Sequence, residues 1–140
     1  MYKYILNRAN NENTQVYGIC DDIRRHVKQS KIKPTIYDYP AVVVGCYSNY
    51  YKLYVNTTHS RPDYSQTPVL KSVLKKLGTI GQKRNNCDNI IGACAEPKAV
   101  HYALLDQHFN MNYIHFTKAF RPRTGEVIKY CKNCKDAFGI

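Results

Sequence analysis

Cys94-Ala95-Glu96, followed well downstream by Cys131-Lys132-Asn133-Cys134, puts three thiols and a carboxylate into two short motifs. Each cysteine binds Zn²⁺ as a thiolate, and three of them leave one tetrahedral position for water. Water held there has its pKa lowered towards about 7, so a nucleophile exists at neutral pH. A glutamate two residues after a ligand reaches that water without being a ligand, and can carry its proton to a leaving group. A structural zinc site instead closes with four protein ligands. Cys20, Cys46 and Cys87 are the candidates for a fourth, so both kinds of site stand at this point. His101 is no candidate: seven residues beyond Cys94 on one straight helix, it lies about 10 Å further along the axis.

The elements that must position these groups can be read next. Pro97 suits the first turn of a helix and disfavours helical geometry just before it. Lys98 to Leu105 continues as a helix with Val100, Ala103 and Leu104 on one stripe. Cys94 and Glu96 therefore belong at a helix start, and Cys131-Cys134 opens a second short segment ending in Ala137-Phe138-Gly139-Ile140. Helix N-termini stabilise negative charge and lower thiol pKa values. That offsets the formal charge of −1 that three thiolates give a dication, as would Lys98, Lys132 and Lys135. An ordinary solvated surface explains those lysines equally well.

The two motifs resemble those of the cytidine deaminase-like superfamily, in which a ligand-x-Glu element precedes a C-x-x-C pair. Among its branches the chain is most similar to bacterial polymorphic-toxin deaminases of the YwqJ-like group, on Cys-Ala-Glu-Pro and Cys-Lys-Asn-Cys. The motif-bearing stretch covers roughly residues 92–138; the first half matches only in its order of elements. Tyr130 stands where deaminases usually carry proline before the pair. The resemblance implies Cys94, Cys131 and Cys134 as zinc ligands, Glu96 as proton shuttle, and Asn56 and Ala95 as substrate contacts. It implies a three-layer α-β-α sandwich around a small mixed sheet. It also implies a C-terminal toxin domain of a secreted protein, acting in the cytoplasm, with an immunity protein as partner.

At 140 residues the chain is long enough for one domain with a real core, so 1–140 reads as a single monomeric unit. No apolar run approaches the roughly 18 residues that span a membrane, and Met-Tyr-Lys-Tyr-Ile-Leu is not laid out as a signal peptide. Six cysteines could make three disulfides, but metal explains three of them better, and Cys20, Cys46 and Cys87 then read as buried free thiols.

Ile19, Ile23 and Val27 recur at four-residue steps, with Asp21 and Asp22 before and Lys28 and Lys31 after, which predicts a first amphipathic helix. Residues 34–40 read as a linker, 41–47 as a buried strand, Ser48-Asn49 as a turn and 50–56 as a second strand. Thr67-Pro68 caps a helix carrying Leu70, Val73, Leu74 and Leu77, stopped by Gly78. Residues 112–117 alternate as a strand, and Pro122 and Gly125 break the chain before Cys131. The class is α/β.

The net charge is +11, of which +7 falls in residues 71–140 and +4 before them. So basic a domain attracts polyanions, less so as salt rises. Lys71, Lys75, Lys76, Lys83 and Arg84 flank the approach to Cys94; Lys118, Arg121, Arg123 and Lys129 flank that to Cys131. Tyr47, Tyr50, Tyr51 and Tyr54, with Lys52 among them, can stack bases, though most tyrosines are structural. His26, His59, His108 and His115 have no ligand spacing and read as structural. Composition and motifs together point to cytosine deamination in nucleic acid, single-stranded DNA first. RNA, free nucleosides, or a non-catalytic nucleic-acid module with structural zinc are the alternatives.

Overall fold

Val43 to Tyr47 form β1, buried along its whole length. The computed structural model describes residues 2–30, 32–48, 52–58, 61–107 and 110–140. Successive side chains of a strand point to opposite faces. On one face Val43 packs with Val16 and Cys20 of α1 (Tyr2–Ser30) and with Phe120. On the other, Cys46 packs with Ala99, Val100 and Ala103 of a helix over residues 95–106. Gly45 lets α1 and the chain near Leu53 close on β1: a Cβ there would sit 2.7 Å from Leu53 Cδ1 and 3.1 Å from Val16 Cγ2.

β1 pairs with β2 (Tyr54–Thr57) on one side. On the other it meets β3 (His115–Phe116) and then β4 (Ala119–Phe120), which in turn pairs with β5 (Val127–Ile128). Thr117 and Lys118 bulge out between β3 and β4. Thr117 keeps the ladder satisfied there: its N–H donates to Gly45 O at 2.9 Å, and its hydroxyl accepts from Gly45 N at 2.9 Å. Each of these pairings is antiparallel, whereas the expected sandwich has a mixed sheet. The connections give the reason for two of them: β1 and β2, like β4 and β5, are joined by segments shorter than the crossover of a dozen or more residues that a parallel pair needs.

The expected α/β class is what the chain adopts. α1 is far longer than the helix predicted around residues 19–27, because its buried stripe extends back through Val16 to Glu12. The linker at 34–40 contains a 3₁₀ turn, Ile36–Asp38, closed by a capping box between Thr35 and Asp38. α2 runs Pro68–Lys75 behind Thr67, as the Thr-Pro pair predicts. α3 is Ala95–Asp106, and α4 is Lys132–Phe138, ended by Gly139 in the left-handed region. The predicted strand at 112–117 is shorter than expected, a 3₁₀ turn over Met111–Tyr113 taking its first half. The turn at Ser48-Asn49 and the start of the strand expected from Tyr50 reach outside the described residues. None of the described helices is long and apolar enough to cross a membrane.

Candidate metal centre

Cys94 and Cys131 occupy equivalent places: each is the residue immediately before a helix, Cys94 for α3 and Cys131 for α4, with extended backbone. Both helix N-termini thus face the same sulfur cluster, which favours thiolates there. Gly92 shapes the approach. It has φ +89°, and a Cβ there would press on Tyr64 and Ile80 at 3.1 and 3.2 Å. Its carbonyl accepts from the buried Tyr64 hydroxyl at 2.5 Å.

Cys94 Sγ lies 3.4 Å from Cys131 Sγ, which lies 3.6 Å from Cys134 Sγ. All three sulfurs fall within 4.8 Å of one another. In a tetrahedral zinc site with Zn–S near 2.3 Å the sulfurs stand about 3.8 Å apart, so the cluster fits such an ion. Cys20, Cys46 and Cys87 are not members of the group. Cys20 and Cys46 are buried free thiols, as expected, while Cys87 is half-buried. Burial raises the Cys20 pKa and pushes Cys46 up to about 12, which makes both inert.

Glu96 follows in the first turn of α3, 4 % exposed. The Cys134 thiol donates to its Oε2 at 3.3 Å. Burial raises the Glu96 pKa above the usual carboxylate range. Within the cluster the proton distribution is uneven. Hydrogen bonding with Cys134 and then with Cys94 lowers the Cys131 pKa strongly, with a further contribution from the Asn89 side chain. Cys94 and Cys134 are raised, each chiefly through its hydrogen bond with Cys131. A bound dication would lower all three pKa values and release the thiol protons.

A cavity of about 430 Å³ opens over this group. Cys94, Cys131 and Glu96 line it, with Ala41, Val42, Ile90, Ala93, Ala119 and Ile128 as apolar wall, and Lys83, Lys129, Asp88, Asn89 and Thr58 as polar lining. That volume suits a small organic ligand.

Asn56 and Ala95 do not line this cavity. Asn56 Oδ1 accepts from Thr57 N at 2.9 Å, and Ala95 is fully buried against Val44 and Ala119. Lys98 is buried and donates to Thr57 O at 2.6 Å. Lys132 pairs with Asp136 at 3.3 Å, and Lys135 is exposed. Of the basic residues near Cys94, Lys83 reaches the cavity, Lys71 and Lys75 join Arg61 in a separate groove, and Arg84 is tied to Asn133 and Asp136. Of those near Cys131, Lys129 reaches it.

Tyr47 is buried beneath the Arg8 guanidinium and stacked on His115, so it is a core residue. Tyr54 donates to Asp106, with Lys52 over its ring. His26 is exposed; Tyr50, Tyr51, His59 and His108 lie outside the described residues. Tyr130, immediately before Cys131, donates its hydroxyl to Thr117 O and packs beside Ala95.

Among protein-family models, curated proteins and solved structures, none matches this chain. What the chain itself presents is a three-cysteine group positioned to bind a metal ion, open to a cavity, with a buried glutamate beside it.

Proposed function

We propose that this chain is a zinc-dependent hydrolytic deaminase, of the cytidine deaminase-like kind, that converts cytosine to uracil in nucleic acid. The observation that supports this most is that Glu96 and two of the three clustered cysteines line one cavity. A structural zinc site has four protein ligands and no reason to share a cavity with a buried carboxylate.

When bound, zinc supplies a Lewis acid and a water acidified to near neutrality. Glu96 does the proton work: it takes a proton from the attacking water and delivers it to the ring nitrogen, then takes the proton of the hydroxyl now on C4 and passes it to the departing amine, leaving the C4 carbonyl. Water adds at C4, the C–N bond breaks, and ammonia leaves, so cytosine and water balance uracil and ammonia. Burial suits Glu96 to this exchange, since a raised pKa brings its acid and base forms closer in energy near neutral pH.

Val42, Ile90, Ala93, Ala119 and Ile128 offer a flat ring an apolar lining that excludes bulk water. Lys83 and Lys129 at the same cavity, and a net charge of +11, suit the phosphates of a polynucleotide. A target base must leave its stack, which costs a few kcal/mol in a duplex and little in a single strand, so single-stranded DNA is the first substrate. The toxin resemblance adds an immunity protein as partner and the cytoplasm of a target cell as site of action.

The test is uracil formation on labelled single- and double-stranded DNA oligonucleotides by wild type and Glu96→Ala, with zinc content measured for both. Product from wild type alone, at equal zinc, supports the enzyme. Product from RNA or nucleosides alone moves the substrate class. Equal product from both proteins sinks the mechanism.

A further inference from the structure

The loop over residues 82–91 forms one wall of the cavity, through Lys83, Asp88, Asn89 and Ile90. Its base is closed by backbone bonds, Gly81 N to Ile91 O at 2.9 Å and Ile91 N to Gln82 O at 3.0 Å. Its outer part is held by a different element, α4. Asn133, between the two cysteines of the C-x-x-C, is 3 % exposed and uses its amide in both directions. Its Nδ2 donates to Asn89 O at 3.0 Å, and its Oδ1 accepts from Arg84 Nε at 2.7 Å. The Arg84 guanidinium reaches on to Asp136 Oδ2 at 2.6 Å, one turn further along α4. One short helix, with the residue that caps it, therefore carries two members of the sulfur cluster and the anchors of the cavity wall.

Such a helix is not stable by itself. α4 has 7 residues, and isolated helices below about 12–15 residues are marginal in water. Besides the cluster, its hold on the rest of the fold includes the packing of Phe138 on Phe116, ring centroids 5.0 Å apart. Joining Cys131 and Cys134 to Cys94 through an ion would fix α4 against the start of α3. Arg84 and Asn133 then transmit that fixation to the loop.

We infer that Arg84 and Asn133 are positioning residues that make the 82–91 wall of the cavity dependent on metal binding. The wall is ordered when the cluster holds its ion and loosens when the ion is removed. A substrate therefore meets a formed cavity only in the metal-loaded protein. The consequence for substrate rests on the deaminase reading above; the coupling of loop to metal does not.

The experiment is amide hydrogen exchange on the full chain with zinc and after chelation, for wild type, Arg84→Gln and Arg84→Lys, with zinc content determined in each. Arg84 touches no cysteine of the cluster, so zinc content is expected to stay equal. In wild type, zinc should slow exchange in α3, α4 and the 82–91 loop. In Arg84→Gln it should slow α3 and α4 as before, while the loop exchanges at least about tenfold faster than in zinc-loaded wild type. Arg84→Lys, which keeps the charge for Asp136 but not the fork, should fall between them. Equal zinc protection of the loop in wild type and Arg84→Gln overturns the inference, as does a wild-type loop indifferent to zinc at full occupancy. With single-stranded DNA, Arg84→Gln should raise KM more than it lowers kcat. If no protein in the set deaminates anything, the exchange result still decides the clamp, and only the enzyme reading is lost.

Discussion

Glu96 Oε2 lies 3.3 Å from Cys134 Sγ, the sulfur donating to the oxygen between the starts of two helices. The contact joins the proposed proton carrier of one motif to a candidate metal ligand of the other. It also separates their roles. The group whose ligand atoms all lie within 4.8 Å of one another consists of the three cysteines alone. Glu96→Gln and Glu96→Ala should therefore keep zinc at one equivalent and leave the thermal midpoint close to that of wild type. Deamination should fall by about 10²–10⁴-fold or more, the usual range for a lost general acid–base. A variant that loses zinc in step with activity would make Glu96 a ligand instead.

Replacing any one of Cys94, Cys131 or Cys134 by serine should abolish stoichiometric zinc binding, because each supplies one corner of the cluster. Chelation of the wild type should lower its thermal midpoint, and zinc in excess should restore it, as binding to the folded state alone requires. Affinity should drop as pH falls, since the thiols must give up protons to bind. The serine variants at Cys20, Cys46 and Cys87 are the controls. Loss of zinc from any of these three would reopen the closed four-ligand site.

Much of this site was legible because its signals are local. The Thr67-Pro68 pair, the Pro97 in a first turn and the two motifs each act within a few residues, and α2, α3 and α4 begin where they indicate. The sheet was harder. β3, β4 and β5 have two residues each, too few to show a period, and are fixed by pairing with distant residues of β1 and with one another. The first turns of α1 run through Asn7, Asn10, Asn11 and Asn13, poor helix formers whose preference is overridden by packing of Val16 and Cys20 on the sheet. Nor does the sequence distinguish Lys83, which reaches the cavity, from its neighbour Arg84, which anchors the loop. Only the fold of residues 82–91 back onto α4 does that.

His101 should leave a signature in the pH dependence of stability. It is 4 % exposed, its Nδ1 lies 2.9 Å from the Thr67 hydroxyl, and its ring meets Tyr64 and Tyr102 edge-on. Burial lowers its pKa, with Asp63 opposing. The unfolded chain thus takes up a proton near pH 6.5 that the folded chain still refuses. Stability from this group is present above about 6.5 and is lost as pH falls from there to the depressed value. Urea unfolding of chelated protein at about pH 7.5 and 5.5 should show a smaller acid loss for His101→Gln than for wild type. Glu96, whose pKa is raised, acts in the opposite sense but cancels in the comparison. An equal loss in both proteins would mean that His101 is protonated in the fold as readily as in the unfolded chain.

Lys83 and Lys129 offer the cleanest test of what the cavity receives, because they border it without touching the cluster. Both are exposed, so exchanging them for glutamine should leave folding and zinc content unchanged. If each meets one phosphate of a single strand, the double variant should flatten the plot of log affinity against log salt by about 1.4, at roughly 0.7 per contact. On a free nucleoside, which carries no phosphate, the same variant should behave as wild type does. Fluorescence anisotropy with a labelled oligonucleotide across a salt series reads the slope directly. An unchanged slope would remove these two lysines from the nucleic-acid path and shift attention to the groove of Arg61, Lys71 and Lys75.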